Sequence, residues 1–258
     1  MNKDYWDGPY YDYLVSRTAE ANSSDIDKSN IIKNDIKIPS DKTYEFFVKK
    51  MDLKKGSNLL DVGCGFGRTF KFFLDFKVNI TGVDISKKMI KAASKDFDKE
   101  ELVKKLIISP AEKLPFEDSK FDYLASFGTF DCTNQNLVLP EMLRVVKPGG
   151  LLCFSGKNYC YKFEDQKAYA AEIGASSKGH PNSFTFYEKM VNQLISGGNL
   201  IKEELFFLNR GDTTDLDYKN KNPGQFYEYT IYVIKGKDSG KFNNIYSPTS
   251  YVYDALNL

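Results

Sequence analysis

The 258-residue chain carries 36 Lys and Arg against 35 Asp and Glu, for a formal charge of +1, and 41% of it is hydrophobic. Near-neutrality argues against a dedicated nucleic-acid binder, whose affinity rests on a basic excess facing phosphates. No run approaches the roughly 18 apolar residues of a membrane helix, the opening MNKDYWDG is unlike a signal peptide, and Cys64, Cys132, Cys153 and Cys160 lack the CxxC spacing of a zinc site, fitting reduced thiols in a cytoplasmic protein.

In chain order, residues 1–39 read as an N-terminal cover segment, aromatic-rich over 5–15 and polar over 21–35. Ser40 is placed to cap a helix whose Tyr44, Phe47, Val48 and Met51 recur at i, i+3, i+4 and i+7, forming one apolar face. A strand over 58–62 runs into Gly63-Cys64-Gly65-Phe66-Gly67. A helix over 69–76, a strand over 78–83 ending at Asp84, and a helix capped by Ser86 with Met89, Ile90, Ala93 and Phe97 inward follow. Further strands are expected over 106–108 and 121–127. A helix over 137–146 then stops at Lys147-Pro148-Gly149-Gly150, before a fifth strand over 151–155. Short strands alternating with helices imply a parallel sheet with crossover helices. From 156 to 183, across Tyr159, Tyr161, Tyr169 and His180, the pattern lapses for too long to be an ordinary connection; the stretch reads as an insertion, a lid. A helix over 186–196 precedes strands over 201–208 and 226–234, which lack a helix between them and so pair as an antiparallel hairpin. Residues 238–258 form a tail.

The densest signal is Leu59-Leu60-Asp61-Val62-Gly63-Cys64-Gly65-Phe66-Gly67-Arg68. A glycine turn at the end of a first parallel strand lets a ligand approach the backbone, with a helix N-terminus behind it. A dinucleotide fingerprint, Gly-x-Gly-x-x-Gly, would need its third glycine where Arg68 stands, which disfavours a nicotinamide-dependent oxidoreductase. Three more motifs follow: Gly82-Val83-Asp84-Ile85-Ser86; Pro110-Ala111-Glu112-Lys113-Leu114-Pro115-Phe116 with Phe121-Asp122; and Glu141-Met142-Leu143-Arg144-Val145-Val146-Lys147-Pro148-Gly149-Gly150. In their order and spacing the chain resembles the class I methyltransferases that depend on S-adenosylmethionine (SAM), over roughly 57–155 and more loosely to 235.

The resemblance implies a Rossmann-like, doubly wound α/β domain over 40–237, with a mainly parallel seven-stranded sheet of order 3-2-1-4-5-7-6. It implies that backbone at Gly63, Cys64 and Gly65 cradles the amino-acid end of SAM, with Asp61 near the ammonium and Arg68 near the carboxylate. Asp84 would take both ribose hydroxyls, and Ile85 and Met89 would flank the adenine. Pro110 stands where relatives usually carry Asp, leaving the adenine edge to Ala111 backbone or Glu112. Phe127, at the end of strand four, is grouped with the cofactor residues. Tyr5, Tyr10 and Tyr11 would fold over the sulfonium, since ring faces attract cations.

Methyl transfer is an in-line displacement at an activated methyl, so positioning and water exclusion supply much of the catalysis. An amine or hydroxyl acceptor must still lose a proton, and the candidate bases are Asp131, just past strand four, and His180, the only histidine. Near-zero charge, aromatic covers and the absence of an Asn/Asp-Pro-Pro-Tyr motif after strand four, where Phe127-Gly128-Thr129-Phe130 stands, point to an O or N atom of a small molecule. Release of S-adenosylhomocysteine (SAH) would complete that reaction. An RNA or protein acceptor, and a SAM-binding partner protein without turnover, are the alternative readings.

Overall fold

The continuous apolar runs become the interior strands of one sheet. The computed structural model describes residues 3–13, 40–161, 165–209, 218–237 and 242–247. Its helices are α1 (Lys3–Asp7), α2 (Ser40–Lys50), α3 (Phe70–Leu74), α4 (Lys87–Asp96), α5 (Gln135–Val145), α6 (Gln166–Ser177) and α7 (Tyr187–Ser196), with a further helical turn over 9–13. Its strands are β1 (Asn58–Val62), β2 (Asn79–Asp84), β3 (Val103–Ile108), β4 (Phe121–Ser126), β5 (Val146–Lys157), β6 (Phe184–Thr185), β7 (Leu200–Phe207), β8 (Glu228–Ile234) and β9 (Tyr246–Ser247).

Seven of them form a sheet ordered β3-β2-β1-β4-β5-β8-β7. The first five are parallel, and β8 lies antiparallel between β5 and β7. This is the expected Rossmann-like order, renumbered because the short β6 intervenes. Successive side chains of β1 serve opposite faces: Leu60 and Val62 pack with Leu124, Met142 and Phe154, while Leu59 packs with Phe47, Val48, Phe70 and Ile80. Both faces are covered, as a parallel sheet requires. Ser86 caps α4 as expected, its hydroxyl accepting from the Met89 amide at 3.1 Å.

Three elements differ from expectation. The Lys147-Pro148-Gly149-Gly150 turn lies inside β5: Val146 pairs with Phe121 and Leu151 with Tyr123, so the residues between bulge out of the ladder. Gly149 turns there at φ +80°, its amide donating to Lys235 O at 2.8 Å. Strand β4 stops at Ser126, leaving Phe127 in the loop beyond. The insertion contains α6, which starts where Asp165 accepts from the Ala168 amide at 3.0 Å. Its sequence QKAYAAEIGASS is too rich in small residues to show an apolar stripe.

The polar stretch 14–39, the side chain of Tyr169 and most of the tail lie outside the described residues. Within 242–247, Phe242 and Ile245 are buried, and β9 pairs with β6. The four cysteines are free, Cys160 exposed and the others buried. Among the described residues no helix is long and apolar enough to cross a membrane.

Candidate active site

The carboxyl ends of β1, β2 and β4 open into a cleft, the place where sheets of this kind bind their ligands. Gly63, Gly65 and Gly67 turn at its edge with φ of +75°, +54° and +83°, a region that disfavours other residues. A Cβ at Gly63 would lie 2.0 Å from Thr129 Oγ1, and one at Gly67 would lie 2.7 Å from the Phe97 ring, whereas at Gly65 it would meet nothing within 4 Å. Packing therefore demands two of the glycines, and the middle one faces open space. The amides of Gly63 and Cys64 both donate to Val83 O, at 2.8 and 3.0 Å, pinning the turn to β2.

Asp84 closes β2 and accepts from the amides of Gly65 (2.9 Å) and Ser86 (2.8 Å). Burial raises its carboxyl above the usual value despite those bonds. Asp61, only 2% exposed, accepts from the Thr69 hydroxyl at 2.5 Å. Burial pushes its carboxyl up to about 7; the Thr69 bond opposes this and the charge of Asp84 adds to it. Two carboxyls that burial discourages from ionising suit a ligand carrying a positive charge and hydroxyl donors.

Asp61, Gly63, Cys64, Gly65 and Arg68 line the turn side of this cleft. Asp84, Ile85, Met89, Ala111 and Phe127 line the cleft as well, with Asp84 joined to the turn through the Gly65 amide and Phe127 packed on Tyr44. The other four residues singled out by sequence are not on the wall. Tyr11 lies under Lys88 Nζ, 5.1 Å from its ring centre, while its helical neighbours Trp6 and Tyr10 face the cleft. Glu112 accepts from the Asn134 amide at 3.1 Å, at the start of α5. Asp131 is 3.1 Å from Lys157 Nζ, which also meets Glu172 at 2.9 Å; Tyr227 in turn donates to Glu172. His180 stands one layer back, behind Cys132 and Tyr5.

Sequence reasoning missed Trp6, Tyr44, Thr129 and Cys132 as wall residues. Trp6 had a signal, as the only tryptophan in the aromatic N-terminal run. Tyr44 was hidden among the core positions of α2; in the structure it stacks on Phe127 (5.4 Å) and lies beneath the Arg68 guanidinium (5.3 Å). Helix α1 is anchored by Asp7, which accepts from the Ser86 hydroxyl (2.6 Å) and the Lys88 amide (3.0 Å) at the N-terminus of α4. Those bonds outweigh burial and hold its carboxyl below the usual value.

A glycine turn flanked by acids near the ends of β1 and β2, on a sheet of this order, is the arrangement that the resemblance to class I methyltransferases led one to expect. Residues 60–154 match the family described as a methyltransferase domain. Demethylmenaquinone methyltransferases of Staphylococcus aureus are 37% identical over 110 residues, covering 41% of this chain. The match spans 45% of those relatives' length. Among solved structures, the geranyl diphosphate C-methyltransferase of Streptomyces coelicolor A3(2), determined with SAH, superposes with a TM-score of 0.62 at 12% identity, over 84% of this chain and 89% of that one. The YcgJ protein of Bacillus subtilis gives 0.56 at 16%, over 76% and 99%. At such identities these structures show a shared fold.

Proposed function

We propose that the chain binds SAM in this cleft and transfers its methyl group to an O or N atom of a small-molecule acceptor, releasing SAH. The carrying observation is that the N-terminal aromatics Trp6 and Tyr10 line the same cleft as Asp61 and Asp84. A cleft that the chain lines with its own N-terminal aromatics suits a small acceptor better than a polynucleotide or a protein surface. The names of similar proteins specify small organic acceptors, demethylmenaquinone and, for a C-methyltransferase, geranyl diphosphate; they support a small acceptor and do not bear on the choice of an O or N atom.

SAM would supply a methyl already activated by positive sulfur. Asp84 keeps lone pairs beyond its two backbone bonds and would hold the ribose hydroxyls, Asp61 would partner the ammonium, and the aromatic side chains of Trp6 and Tyr10 on the cleft wall would favour the cation. Burial raises the Tyr10 hydroxyl and the Cys64 and Cys132 thiols, keeping them neutral. Asp131 is engaged by Lys157, and His180 stands behind the wall. The protein then contributes positioning and water exclusion, and neither Asp131 nor His180 is among the described residues that line the cleft.

Methyl-labelled SAM, added to a cell extract split by size, tests this. Label confined to small molecules is expected and yields a product for mass analysis. Label in RNA or protein would reject the small acceptor. SAH binding with no labelled product in any fraction would favour the non-catalytic reading.

A further inference from the structure

His180 lies between α6 and β6, and its imidazole bridges α1 and the turn after β4. Nδ1 is 3.2 Å from the Tyr5 hydroxyl on α1, and Nε2 is 3.4 Å from Cys132 Sγ in the 3₁₀ turn after β4. The ring also meets those of Tyr5, Trp6 and Tyr10 at centroid distances of 5.5, 5.3 and 6.1 Å. Trp6, Tyr10 and Cys132 line the cleft, yet His180 does not. We propose that His180 is a positioning residue: it latches the N-terminal cover to the insertion and to the cleft wall, so the aromatic roof that Trp6 and Tyr10 give the cleft is complete only while the latch is engaged. The proposal rests on reading the cleft as the SAM site.

Two clamps then hold the cover, Asp7 on the start of α4 and His180 on the insertion. A roofed cleft must open for SAM to enter and for SAH to leave. Closure also leaves the Trp6 indole N–H buried with no hydrogen-bond partner among the described residues, a cost that keeps the closed state easy to leave.

The groups facing His180 are Tyr5 from α1, Asp131 and Cys132 from the 3₁₀ turn, Lys157 from β5 and Glu172 from α6. Burial and then Lys157 hold the imidazole below its ordinary value of 6.5, with Asp131 and Glu172 opposing. Protonation is therefore disfavoured with the cover closed. The latch is at full strength above 6.5 and weakens as pH falls below it. Asp7, held below its ordinary 3.8, keeps its charge through that range.

Trp6, the only tryptophan, reports the roof directly. The experiment is acrylamide quenching of Trp6 emission in the full-length protein, with and without SAH, from about pH 5 to 8, spanning the histidine range. It compares wild type with His180→Ala, His180→Gln and Tyr5→Phe, each checked for folding by circular dichroism. Quenching in wild type should rise as pH falls below about 6.5. His180→Ala should be quenched about twofold more at neutral pH and bind SAH about tenfold more weakly, a change of about 1.4 kcal/mol. His180→Gln should restore much of the shielding but lose the pH dependence, and Tyr5→Phe, which removes only the hydroxyl, should fall between. A folded His180→Ala protein with wild-type quenching at every pH would overturn the latch. If wild type binds no SAH, the cofactor reading fails, and quenching of the unliganded protein still decides the latch.

Discussion

The Asp61 carboxyl, pushed up to about 7 chiefly by burial, binds protons more tightly than it does in the unfolded chain, where its value is 3.8. The sign of the consequence follows from linkage: stability falls as pH rises from 3.8 to about 7 and is flat above. Asp61→Asn should therefore raise the melting temperature of the unliganded protein at pH 8, by the equivalent of about 1–4 kcal/mol. The same variant should weaken SAH binding at least about tenfold, because the ammonium loses its charge partner. Scanning calorimetry and a binding titration on one preparation check both, and a variant that is neither more stable nor weaker in binding would remove Asp61 from the cofactor site. At this scale the strand-end acids and the glycines were legible because their roles follow from a contiguous motif. Tyr11 was not: one residue along a helix turns a side chain by about 100°, enough to put Tyr10 on the wall and Tyr11 beneath Lys88.

The glycine turn is one element with two kinds of glycine. Gly63→Ala places a methyl 2.0 Å from Thr129 Oγ1 at a positive φ, so a loss of roughly 3 kcal/mol or more in denaturant unfolding is expected, beyond strain alone. Gly65→Ala meets no protein atom and should cost only about 1–2 kcal/mol for its left-handed backbone. It should nevertheless lower SAH affinity about tenfold or more, since the methyl enters the space left for the ligand. Equal stability losses in the two variants would contradict this division. Helix α6 shows the opposite case, an element whose small residues carry no periodic signal and which the fold recruits through Ala168 and Glu172, buried against β5 and its neighbours.

Across the whole molecule, the cluster of Lys157, Asp131, Glu172 and Tyr227 joins β5, the 3₁₀ turn, α6 and the approach to β8. Glu172 is 3% and Asp131 5% exposed, so removing the lysine strands two carboxylates in a poorly solvated place. Lys157→Met should destabilise the protein by about 3–5 kcal/mol, read as a lower urea midpoint at unchanged slope. Asp131→Asn should lose part of that while leaving methyl-transfer turnover per folded molecule near wild type. A specific loss of kcat in stable Asp131→Asn protein would instead restore Asp131 as a catalytic base.

From sequence alone came the alternation of strands and helices and the acids at the ends of β1 and β2, and the motifs, through the resemblance they carry, implied the sheet order and the cofactor class. Those motifs are local: a strand, the turn after it and the helix that follows lie within 58–74 and again within 79–96. Tertiary structure alone decided how the cover, the insertion and the wall meet. His180 is 48 residues from Cys132 and 175 from Tyr5, and Glu172 faces Asp131 across Lys157. Such pairs leave no period or spacing in the chain, because their meeting depends on how whole elements pack and which face each one turns inward.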